Sequence, residues 1–149
     1  MASPDVSAFT KRCLSSAVLV PVVLGAIWAG GGWYAGLLLA AAGLMAKEWV
    51  DICFVRDGDE GPWAARPNGA AVAFMGFVTL ASIAATLGHY SAAFMIAIAG
   101  LVAVGVLRGP ENRADSIILA LGVLYISLPI IAAAWIARDT GDGVRTLFW

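Results

Sequence analysis

The sequence predicts an all-α, polytopic integral membrane protein of about five transmembrane helices, with its N-terminus in the cytoplasm. Two observations of bulk and one of pattern predict it. Apolar residues make up 61% of the 149 positions and charged residues 13%, against roughly 45–50% and about 25% in soluble domains. A soluble chain of this size still leaves about 30% of its surface wet, so it could not hide so much apolar side chain. The third observation is the arrangement of uncharged runs, which glycine-bearing turns divide into stretches near the roughly 20 residues that an α-helix needs to cross about 30 Å of hydrocarbon.

From Cys13 to Ala46 no residue is charged. That run is too long for one span, and Gly30-Gly31-Gly32 interrupts it, with Trp28, Trp33 and Tyr34 on either side. Glycine breaks helices, and Trp and Tyr favour the membrane–water interface. A tight hairpin is therefore expected, with span one at 14–29 and span two at 33–54. Pro21 falls inside span one, where a kink is tolerated in lipid if neighbouring groups satisfy the freed carbonyl.

The stretch 55–68 carries Arg56, Asp57, Asp59, Glu60 and Arg66 among Gly58, Gly61, Pro62 and Pro67, the composition of a solvated loop. Span three follows at 70–87. A short turn around Gly88 and His89 leads into span four at 90–107. A second charged loop, 108–115, contains Gly109-Pro110, and span five is expected at 116–137. The segment from Arg138 to Arg145 reads as a polar tail, with Thr146 to Trp149 turning apolar again.

Orientation rests on the positive-inside rule. With the N-terminus inside, that side holds Lys11, Arg12, Arg56, Arg66, Arg108 and Arg113, and the other side holds Arg138 and Arg145. Lys47, near the inner end of span two, adds to the bias. The competing idea, a cleaved signal peptide in residues 1–30, lacks a clean small-x-small site and is followed by four further spans. The whole chain, 1–149, is one transmembrane domain. Its net charge of −1 gives no reason to expect nucleic acid.

Ionisable groups inside a span are costly and mark candidate sites. One cluster qualifies: Lys47, Glu48 and Asp51, brought to one side of a helix by i,i+3 and i,i+4 spacing. It reads either as a polar patch facing a lipid headgroup or a neighbouring helix, or as an interfacial anchor. In the anchor, Trp49 lies at headgroup level and the charges reach for water. The anchor is the simpler reading, because Asp51 is close to the loop at Arg56. His89, the only histidine, lies in a turn far from other ligand types and reads as interfacial. Asp57, Asp59 and Glu60 lack the Gly and Glu spacing of a calcium loop. Cys13 and Cys53 are 40 positions apart with no CxxC pair, so neither zinc nor a disulfide framework is supported. Gly36 and Ala40, four apart, permit close helix packing. Walker, HExxH and nucleophile-elbow patterns are absent, and no catalytic or metal-binding residue is assigned in this chain.

The order of features also resembles a family. Lys11-Arg12 precedes a Ser/Ala-rich entry and Val18-Leu19-Val20-Pro21-Val22-Val23-Leu24. Gly31-Gly32-Trp33-Tyr34 then leads to a helix ending in Glu48-Trp49. Further on come Leu124-Tyr125-Ile126-Ser127-Leu128-Pro129, then Arg138-Asp139 and Gly141, with Thr146 to Trp149 like the start of a sixth span. This resembles the N-terminal half of phosphatidate cytidylyltransferase, the bacterial CDP-diacylglycerol synthase. The resemblance implies an enzyme of the inner membrane that joins CTP to phosphatidic acid, with Mg²⁺ held by acidic groups of its C-terminal half. Those signature segments have no counterpart in this sequence. The resemblance therefore implies a fragment, truncated before the catalytic half and inactive alone. A homodimer is left open. The reading from a different class is a small non-enzymatic membrane protein, an assembly factor or transporter subunit. Against a transporter, spans three to five hold no ionisable residue that could relay an ion.

Overall fold

A computed structural model describes residues 6–54, 69–107 and 113–139. Among these residues there are five helices and no strand: α1 (Val6–Ala29), α2 (Gly31–Phe54), α3 (Gly69–Thr86), α4 (Tyr90–Leu107) and α5 (Arg113–Asp139). The fold class and the five helices are those that the sequence predicts. Among the described residues three stretches are long and apolar enough to cross a membrane: Gly69–Thr86, Tyr90–Leu107 and Ile117–Arg138. In α1 the apolar part is Ala17–Ala29, and α2 carries Lys47, Glu48 and Asp51 in its last two turns.

Helix ends depart from expectation mainly in one direction. Helix α1 begins at Val6, ahead of Lys11 and Arg12, and α5 takes in both Arg113 and Asp115 at its start and Arg138 at its end. The uncharged runs alone place these residues in flanking loops and in the tail. Such a run marks the hydrocarbon thickness, whereas the helix continues until water can satisfy its terminal backbone groups. Pro21 and Pro129 lie inside continuous helices. The loop at 55–68, with Asp57, Asp59 and Glu60, and the apolar end at 146–149 lie outside the described residues.

Glycine makes the two tight connections. Gly30 has φ of 63°, a left-handed conformation that strains residues with a Cβ. Its N–H donates to the Ala26 carbonyl at 3.1 Å, while its own carbonyl accepts from the N–H of Trp33 and of Tyr34. One residue therefore closes α1 and starts α2. At the other turn Gly88, with φ of 88°, donates to the Ala85 carbonyl, and His89 donates to that of Ala84, both at 2.9 Å. This is the paired bonding of a Schellman cap, and the His89 carbonyl then accepts from Ala93 to open α4.

Helices α3 and α5 are central: each packs against α2, against α4 and against the other. Among the described residues α1 touches only α2. The core between them holds Phe74, Val78, Val104, Leu119, Val123 and Ile126, all essentially inaccessible. Small residues let the backbones approach. Ala81, Ala85, Ala93 and Ala97 are fully buried, and at Gly100 a Cβ would meet Phe77 at 2.6 Å and Val123 at 3.1 Å. In lipid the outer surface is as apolar as the core, so such packing rather than water exclusion holds the helices together. The Gly36 and Ala40 face, expected to permit close packing, is not used among the described residues: a Cβ at Gly36 would meet nothing within 4 Å, and Ala40 is exposed.

Candidate functional site

The sequence-predicted cluster lies where the end of α2 meets the start of α5. Ala46 and Val50 supply the buried side of α2 there. Lys47 and Glu48 are exposed, and Lys47 Nζ reaches Asp51 Oδ2 at 2.8 Å, with the two side chains 58% and 48% accessible. The structure thus joins two of the three residues in an i,i+4 pair. It leaves Glu48 exposed and outside that pair. An accessible pair of this kind contributes little to stability.

Trp49 has a role that the sequence does not disclose. Its indole packs onto α5. Its Nε1 donates to the Ile118 carbonyl at 3.3 Å, and its ring lies 5.3 Å from that of Tyr125 at 30°. The notch that receives it is Gly122, where a Cβ would fall 2.6 Å from Cδ1 and Cε2 of the indole. Trp28 and Trp33, by contrast, are 81% and 75% exposed, as interfacial aromatics should be. His89 is exposed in its turn, in keeping with the interfacial reading. Cys53 packs against the core.

At the opposite end α2, α3 and α5 enclose a cleft of about 650 Å³. Its walls include Leu38, Leu39, Ile83 and Ala134, with Arg138 at its rim. Two of its residues have partners that the sequence does not disclose. Tyr34, expected at the interface beside Trp33, is 8% exposed and donates its hydroxyl to the Ala133 carbonyl at 3.3 Å. Arg138, expected in the tail, donates Nη1 to the Thr86 carbonyl at 2.9 Å, and its guanidinium lies 3.3 Å from where a Cβ on Gly88 would be. A cation there satisfies an end carbonyl of α3 and complements its dipole. The sequence does carry a signal for Arg138: it is the first charge after a long apolar run, and so stands at the membrane edge.

Among the described residues no three His, Cys, Asp or Glu side chains come together as a metal site. Those residues therefore do not fit a divalent cation.

Helices of this length and composition, joined by glycine turns around a small-residue core, define an α-helical membrane protein. The chain belongs to the cytidylyltransferase family, whose profile matches residues 10–149. No curated protein and no solved structure matches it.

Proposed function

We propose that this protein forms the N-terminal membrane part of a phosphatidate cytidylyltransferase of a bacterial inner membrane, serving phospholipid biosynthesis. The observation that carries the reading is the family match over residues 10–149, on a chain whose helices suit a lipid-soluble substrate. In the reaction, a phosphate oxygen of phosphatidate attacks the α-phosphorus of CTP. The bond to the β-phosphate oxygen breaks, leaving CDP-diacylglycerol and diphosphate.

Such a reaction is driven by positioning and by neutralising the triphosphate with cations. The whole enzyme would draw Mg²⁺ and basic groups for that purpose from residues other than those described here. The described part supplies the membrane scaffold, and Lys47, Glu48 and Asp51 are the candidate contacts to lipid headgroups at its charged end.

The test is to reconstitute the purified chain in vesicles containing phosphatidate, add CTP and Mg²⁺, and measure CDP-diacylglycerol. No turnover is expected from the chain alone. Restored turnover is expected on co-reconstitution with the C-terminal half of a phosphatidate cytidylyltransferase. Turnover by the chain alone would overturn the assignment of catalysis to other residues, and failure of every such pairing would overturn the substrate assignment.

A further inference from the structure

The cleft at the Arg138 end has the composition of a lipid site. At about 650 Å³ it lies within the range of about 300–1,000 Å³ typical of small-molecule sites. Its walls are mainly aliphatic side chains of α2, α3 and α5, with Tyr34 and Thr86 among them, and an apolar groove within the membrane fills with hydrocarbon rather than water. Three features set the height and charge of its mouth. Arg138 ends the apolar stretch Ile117–Arg138. Trp28 and Trp33, at the same end of the bundle, are the exposed aromatics that mark the headgroup layer. Arg138 uses Nη1 on Thr86, and a guanidinium has five N–H donors in a fork suited to phosphate. Among the described side chains the carboxylates Glu48 and Asp51 stand at the far end of α2, roughly 20 Å away or more at 1.5 Å per residue, while Asp139 follows Arg138 as the last residue of α5.

We infer that this cleft binds one anionic glycerophospholipid, an acyl chain lying along Leu38, Leu39 and Ile83 and the phosphate meeting Arg138. The inference stands apart from the transferase reading, because it concerns the other end of the bundle and needs no nucleotide. Charge complementarity selects the occupant: a zwitterionic lipid would bring its own cation toward the arginine.

The full chain, purified in mild detergent, is incubated with equal amounts of phosphatidylglycerol and phosphatidylcholine, and retained lipid is read by native mass spectrometry. Phosphatidylglycerol is chosen because it is not a substrate of the proposed reaction, so the result bears on this site alone. A single retained phosphatidylglycerol, favoured about tenfold over phosphatidylcholine, is the expected result for one charge-assisted contact. Arg138→Gln should bring the two lipids to within about twofold, while Arg138→Lys keeps most of the preference as a point charge. Ala137→Phe, which fills the cleft from α5, should remove retention of both lipids. Equal retention of the two lipids by the unaltered chain, or undiminished retention by a folded Ala137→Phe chain, would overturn the site.

Discussion

The contact between Trp49 and Gly122 makes the sharpest claim about why α2 is held where it is, and Gly122→Ala tests it. The new methyl would lie 2.6 Å from two indole carbons, so the ring must leave its notch. Two interactions go with it, the Nε1 bond to Ile118 at 3.3 Å and the ring contact with Tyr125 at 5.3 Å. A hydrogen bond between membrane helices contributes on average about 0.6 kcal/mol, and an aromatic pair about 0.5–1.5 kcal/mol. Forcing an extra methyl into a packed contact costs about 1–3 kcal/mol. Against this, alanine improves helix propensity over glycine by up to about 1 kcal/mol. The net expectation is a loss of about 1–2 kcal/mol.

The sign should reverse once the indole is gone. In a Trp49→Ala background the notch is empty, and Gly122→Ala should be neutral or stabilising by up to about 1 kcal/mol. The assay is a double-mutant cycle on reversible unfolding in mixed micelles titrated with sodium dodecyl sulfate, followed by helical circular dichroism. A coupling of about 1–3 kcal/mol is expected, beyond the roughly 0.3–0.5 kcal/mol of independent sites. If Gly122→Ala has the same effect in both backgrounds, Trp49 does not occupy the notch.

Three further outcomes use related measurements. Gly100→Ala, which meets Phe77 and Val123, should lower stability by about 1–3 kcal/mol, whereas Gly36→Ala should be neutral or slightly stabilising. An equal loss at Gly36 would mean that its face is covered, and the unfolding curves separate the cases. Ser127 is fully buried and its Oγ has no hydrogen-bond partner among the described residues. Replacing it by alanine should therefore leave stability unchanged or raise it by about 1 kcal/mol, and a loss beyond that would contradict the unpaired hydroxyl. In a cysteine-less background, cysteines at Gly58 and Glu111 should react with an impermeant thiol reagent from the cytoplasmic side and one at His89 from the opposite side. The reverse labelling would invert the topology.

Much of the fold is legible in the sequence because charge and glycine act as punctuation in an apolar chain. The limits of α4 and the end of α2 at Phe54 agree with the residues that the sequence predicts, and both glycine turns fall where expected. The faces of the helices are not legible, for a physical reason. Within lipid, Val72 and Leu80 point outward at 57% and 56% exposure while Phe74 and Val78 of the same helix are inaccessible, and no polar–apolar contrast separates the two sets. Amphipathic periodicity, which sorts faces in water, carries almost no information here. Sequence alone therefore gives Trp49, Tyr34 and Arg138 only the average membrane roles of their residue types, and each has a specific partner instead.

The same reasoning explains why the bundle has a filled end and an open one. Near Phe54, α2 presents Trp49, and the matching position on α5 is Gly122, so a large group meets a small one and the space is closed. Near Gly30 the sizes are reversed on α2. Gly31 and Gly32 bring no side chain to the cleft, and Tyr34 bridges to Ala133 from its edge. On the facing helices Thr86, Ala134 and Ala137 are small as well, and Ile83 of α3 and Arg138 of α5 line the space without filling it. The glycines that permit the tight hairpin therefore also leave the cleft beside it. Gly32 has no left-handed backbone to protect, and a Cβ there would meet nothing within 4 Å. A larger residue at that position would narrow the cleft without opposing the turn at Gly30. A cleft arising this way is a consequence of the connection, and Arg138 at its rim gives the space a charge preference that the glycines alone would not.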